Sequence, residues 1–246
     1  MRFLANKKLW LFAIVVLVPI SIVALRPKPA TSLSELPSVV IWAWERPEKL
    51  DFINTDKVGV AFLAKTLRLE SDRVISRPRL QPLELAPGTK LIAVVRIESD
   101  HPTLSSTQLA RTVAEVIELA KLSNISVVQI DFDAAVSERS FYRALLNEVR
   151  PRVPALSITA LASWCAGDNW LSDLPIDEAI PMLFRMGPDK QHFQSGRRFE
   201  RPICANSAGV STDEPITPPN VDRLYLFSPN PWSQDSLNRA LETYKR

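Results

Sequence analysis

Short apolar runs separated by polar or proline-rich stretches recur along this chain from residue 39 onward. Residues 39–44, 58–63, 91–97, 126–133, 156–161, 179–184, 203–210 and 224–227 each have strand length. Two stretches switch to helical spacing. In 105–122, Ser105 and Gln108 form a capping-box signature ahead of Leu109, Val113, Val116, Ile117 and Ala120. In 137–149, Phe141, Leu145, Leu146 and Val149 share one face. A short helical piece is expected near 169–174 and a closing helix over 234–244. Eight strands joined by helices or long connections predict an α/β fold, a (β/α)8 TIM-type barrel, because parallel neighbours need crossovers that cover the sheet. The second βα unit is irregular. Residues 65–89 carry Pro78, Pro82 and Pro87 and read as extended pieces, 66–70 and 73–77, where a helix would stand. The alternative, an open doubly wound sheet, lacks a Gly-rich phosphate loop in a chain with 6 glycines.

Charge and composition add a location. Arg2, Lys7 and Lys8 precede an apolar run over 9–25, broken only by Pro19 and Ser21. This reads as a signal anchor, with a cleaved signal peptide as the alternative, and it makes the membrane a partner through that segment. Residues 1–8 are then a basic leader, 26–36 a linker and 37–246 one barrel domain in the cell envelope, or secreted if cleavage occurs. Export makes Cys165 and Cys204, the 2 cysteines, a disulfide candidate, with two separate buried thiols as the other reading. The formal charge of +3 is scattered, so no nucleic-acid partner is expected. Only His101 and His192 are present and they are not spaced as ligands, so neither a metal nor a cofactor is expected.

Candidate chemistry collects where the strands end. In 126–133 the alternation places Val128, Ile130 and Phe132 on one face and Gln129, Asp131 and Asp133 on the other. Carboxylates at i and i+2 of a strand lie roughly 6–7 Å apart between their Cα atoms. In a barrel, working residues stand at the C-terminal strand ends. Those ends supply Trp42, Trp44, Glu45, Arg96, Glu98, Trp164 and Arg185. Five of the 6 tryptophans, Trp170 and Trp232 among them, follow strands, and such rings stack on the apolar faces of sugars. Arg96 and Glu98 share the parity of the acid pair. An arginine lowers a neighbouring carboxyl pKa while burial and like charge raise it, which splits the pair into a proton donor and a base or electrostatic support. The same residues could instead be a buried ion network, and the tryptophans packing.

Five strings carry a resemblance: Val40 to Pro47, Val58 to Ala64, Gln129 to Ala134, Leu156 to Cys165 and Pro181 to Gly187. They resemble a bacterial family known only as domain of unknown function 3142, which implies an exported protein and no established reaction. More distantly, Gln129-x-Asp131-x-Asp133 is similar to the Asp-x-Asp-x-Glu signature on the fourth strand of chitinase-like glycoside hydrolases. Asp133 takes the place of the catalytic Glu, and Gln129 stands for the first Asp; an alignment shifted by a step would put Ala135 at the acid position. The expected function is an extracytoplasmic, glycoside-hydrolase-like protein acting on a cell-envelope or exported polysaccharide. Asp133 would protonate the leaving oxygen, Asp131 would orient it, and Glu98 or a substrate acetamido group would support the cationic sugar. Trp42, Trp44, Glu45, Arg96, Gln129, Trp164 and Arg185 would bind the glycan. The alternatives are a non-catalytic carbohydrate-binding or scaffold barrel, and a hydrolase holding Mg²⁺ or Ca²⁺ on Glu98, Asp131 and Asp133.

Overall fold

The structure is a computed structural model that describes residues 32–100, 104–187, 190–193, 196, 198–214 and 216–245. The expected N-terminal anchor, and His101, lie outside the described residues. The strands are β1 (Val39–Ala43), β2 (Glu48–Leu50), β3 (Val58–Glu70), β4 (Arg73–Pro78), β5 (Leu83–Leu85), β6 (Leu91–Ser99), β7 (Ile125–Asp131), β8 (Leu156–Leu161), β9 (Glu178–Met182), β10 (Ser207–Ser211) and β11 (Arg223–Phe227). The helices are α1 (Ser106–Leu119), α2 (Arg139–Val149), α3 (Ala162–Ala166), α4 (Lys190–Phe193) and α5 (Gln234–Thr243).

Eight parallel strands close on themselves in the order β1-β11-β10-β9-β8-β7-β6-β3, with β3 pairing back to β1. The sheet is therefore a TIM-type barrel, as the pattern of apolar runs predicts. Alternation sorts each strand into two cores. Val40, Trp42, Ala61, Ile92, Val94, Val127, Ile180 and Tyr225 fill the lumen. Their neighbours in sequence pack outward, Val128 and Ile130 against α1 and α2, and Ile41, Val210 and Leu226 against α5. Since both faces are buried, the strands read as continuous apolar runs.

The two opening crossovers use strands in place of helices. β2 and β5 pair in parallel outside the barrel, and their Leu50, Leu83 and Leu85 cover the outer core. The prolines of 65–89 remove backbone donors, and the segment accordingly folds as the antiparallel β3–β4 hairpin, with Ser71 taking φ 53° at the turn. A bulge in β3 between Leu63 and Lys65 reverses its facing, so that Leu67 and Leu69 join the outer core although they have the parity of the lumen-facing Ala61 and Leu63. Lys65 Nζ donates to Glu115 Oε2 at 2.5 Å and Ser76 Oγ to the same oxygen at 2.9 Å, which docks the hairpin on α1.

The capping box of α1 forms as expected, with Gln108 N donating to Ser105 Oγ at 3.1 Å and Ser105 N to Gln108 Oε1 at 2.9 Å. The short helix after β8 does not fall at 169–174, which is a turn, but at Ala162–Ala166, where Trp164 and Cys165 turn into the outer core. The seventh barrel strand starts at Ser207, since Pro202–Cys204 is a 3-10 turn. Cys165 and Cys204 are disulfide-bonded with Cα atoms 5.9 Å apart, joining the connections after β8 and β9. At the N-terminal end of the barrel, Ser32–Glu35 forms a 3-10 helix within the stretch read as a linker, and Leu36 is buried. Arg223 there ion-pairs with Glu178 at 2.9 Å and donates to the carbonyls of Leu33 and Pro37, while Tyr225 OH donates to Glu178 Oε2 at 2.7 Å.

Candidate active site

At the opposite, C-terminal end of the strands lies a cavity of about 360 Å³ lined by Trp42, Trp44, Arg96, Asp131, Asp133, Leu161, Met182, Phe184, Arg185, Ser211 and Phe227 with the loop after β11. Its apolar wall is a run of rings. Trp42 stacks on Phe227 with centroids 4.6 Å apart, Phe184 meets Phe227 at 4.7 Å, and Trp44 tilts over Trp42 at 5.5 Å. Trp42 and Phe227 are buried, so the half-buried Trp44 and Phe184 are the rings that present a face to a ligand. Gly209 permits this packing. A Cβ there would lie 2.8 Å from Met182 Sδ and 3.2 Å from the Phe227 ring.

The loop carrying Trp44 is fixed by cross-loop hydrogen bonds. Arg79 donates to the carbonyls of Trp44 and Arg46, each at 2.5 Å, and Glu45 Oε1 accepts the backbone N–H groups of Leu80 and Gln81 at 2.9 and 3.2 Å. Arg46 clamps the loop after β11, donating to the carbonyls of Ser228, Pro229 and Asn230. Glu45 is thus a loop anchor outside the cavity lining.

On the polar wall, Arg96 of β6 is the register partner of Asp131 on β7. Thr159 on β8 donates its hydroxyl to Asp131 Oδ1 at 2.6 Å. Burial pushes the Asp131 carboxyl up from its ordinary value, the neighbouring Asp133 and Glu98 push the same way, and the Thr159 hydrogen bond and Arg96 only partly offset this. Asp133, one turn of the alternation further out, is exposed. Arg96 Nε and Glu98 Oε1 pair at 3.2 Å with both side chains nearly half exposed. Arg185, in the left-handed region at φ 55°, is held at the rim by Asp213 at 2.6 Å and by Glu214.

The structure therefore brings Trp42, Trp44, Arg96, Asp131, Asp133 and Arg185 together, with Glu98 just beside them in an adjoining cavity. Three of the residues read as substrate-binding sit elsewhere. Glu45 anchors its loop. Trp164 is buried in the outer core, edge-on to Trp170 at 5.1 Å, because α3 turns it away from the mouth. Gln129 is fully buried in the lumen below Asp131, and among the described residues neither end of its amide, nor the hydroxyl of its register neighbour Ser157, has a hydrogen-bond partner. Trp232 is also packing, donating its indole N–H to the Trp42 carbonyl at 3.0 Å. Among the described residues no three His, Cys, Asp or Glu side chains converge so as to hold a metal ion, so Glu98, Asp131 and Asp133 do not form the cation cage weighed above. Sequence reading missed Thr159. Its signal was a pair of hydroxyls at alternate positions of a strand, Ser157 and Thr159, with the parity of Asp131.

Residues 87–180 match the family model described as a domain of unknown function, DUF3142. The DUF3142 match runs from just before β6 into β9, and so contains Arg96, Glu98, Asp131, Asp133 and Thr159 but neither Trp44 nor Arg185. No curated protein matches the chain.

Proposed function

We propose that this barrel is an extracytoplasmic glycoside hydrolase acting on a cell-envelope or exported polysaccharide. One observation carries the reading: two carboxyl groups in different environments, Asp131 half-buried with its pKa raised and Asp133 exposed, share a cavity with the open rings of Trp44 and Phe184. Glycoside hydrolysis needs such a division between a group that carries a proton and one that acts as carboxylate. The environments reverse the roles that motif alignment gives. Asp131 is the proton donor. Thr159 engages Oδ1 and leaves Oδ2 to deliver the proton to the glycosidic oxygen as the C1–O bond breaks. Asp133 faces the developing positive charge and takes the proton of the water that supplies the new hydroxyl. Glu98, paired with Arg96, is a neighbour that biases Asp131 and not a reacting group. Arg223 and Glu178 at the far end of the lumen have no part in this chemistry.

The test is hydrolysis of purified envelope polysaccharides by the full chain and its Asp131→Asn and Asp133→Asn variants. Each variant is expected to lose at least about 100-fold in turnover. Undiminished turnover in either would remove that residue from the mechanism. Binding that survives in both variants of a protein with no turnover would establish a carbohydrate-binding barrel instead.

A further inference from the structure

A second cavity, of about 250 Å³, opens on the other side of the acid pair and is lined by Arg96, Ile97, Glu98, Ser99, Asp131, Phe132, Asp133 and Glu138. It shares Arg96, Asp131 and Asp133 with the aromatic cavity, so the two carboxyl groups stand on the partition between two chambers. The chambers differ in chemistry. Ile97 and Phe132 are buried, so the second offers mainly polar surface, from Glu98, Ser99 and the acid pair. At this volume it falls below the roughly 300–1,000 Å³ of a self-sufficient ligand pocket, whereas joined to the aromatic chamber it falls inside that range.

We infer that the cleft takes consecutive units of a glycan chain, one on each side of Asp131 and Asp133, and cuts within the chain. This deepens the carbohydrate reading above and rests on it. In the aromatic chamber a sugar ring lies against Trp44 and Phe184 by its C–H face. In the polar chamber the next unit is held through its hydroxyl groups by Glu98 and Arg96, whose mutual pairing leaves further donor and acceptor positions. The bond between the two units lies over the partition, where Asp131 supplies the proton to the departing unit. A ligand gripped at both ends places that bond more firmly than one held at a single end.

The experiment measures, by calorimetry, binding of glucose, cellotetraose, N-acetylglucosamine and its β-1,4-linked tetramer to the full chain with Asp131→Asn, and to a second variant with Asp133→Asn. Alongside it, the wild type is given end-labelled hexamers of both sugars. The tetramer of one series is expected to bind at least about tenfold tighter than its monomer, and Glu98→Gln is expected to shrink that increment. The labelled hexamer is expected to yield di- to tetrasaccharides first. Equal affinity for monomer and tetramer, or release of single sugars from one end only, would overturn the inference while leaving the carbohydrate reading standing. Failure of both series to bind would overturn both.

Discussion

Asp131 carries a cost in the folded protein that its ionised form would not meet in water. Its carboxyl keeps a proton to higher pH than an unfolded aspartic acid, whose value is about 3.9. Its contribution to stability is therefore fully present below that value and is lost as pH rises through the raised one. Asp131→Asn, which keeps an oxygen for Thr159, should melt at a higher temperature than wild type at neutral pH, and the difference should vanish in acid. Thermal melts across pH check this, and a constant difference would show that burial is not what distinguishes the group. The tryptophans divide in the same manner. Trp44→Ala should weaken glycan binding with little change in melting, whereas Trp164→Ala removes a buried ring and should cost about 3–5 kcal/mol of stability. Denaturant titration beside calorimetry separates the two. At this scale the face shared by Arg96, Asp131 and Asp133 was legible, because strand parity is a local property. The fate of Trp164 was not. Whether a residue just past a strand enters the mouth or turns under the sheet depends on the helix that Ala162 starts and on the disulfide at Cys165.

Among the elements, the barrel strands could be read because burial on both faces makes each an apolar run, and the β3–β4 pieces because their prolines oppose a helix. The bulge in β3 was invisible, since one extra residue changes which side chains face inward without changing the run's composition. β2 and β5 were invisible for the opposite reason, three residues each being too short to carry a pattern. The β3–β4 hairpin has a definite tether to α1. Burial pushes Glu115 up, but the hydrogen bonds from Lys65 and Ser76 and the Lys65 charge outweigh it and hold its carboxyl below the ordinary value. The tether is thus present at neutral pH and is lost as pH falls through that depressed value. Glu115→Gln should cost less than about 1 kcal/mol overall, since the pair is part exposed. It should nevertheless speed amide exchange in residues 65–78, read by mass spectrometry, with α2 unaffected.

For the molecule as a whole, the disulfide ties together two connections in the outer core of the barrel across 39 residues of sequence. Replacing both cysteines by alanine should cost about 2–4 kcal/mol, seen as a thermal midpoint lower by several degrees, and a reducing agent should lower the wild type alike. The two ends of the barrel are built for different purposes. One end holds the cleft; the other is stoppered by Leu36 and by Arg223, which grips the carbonyls of Leu33 and Pro37. The chain thus enters the barrel at its closed pole, and whatever precedes Ser32 departs from there. An anchor of the kind expected from the sequence would therefore be joined to the barrel at the pole away from the cleft.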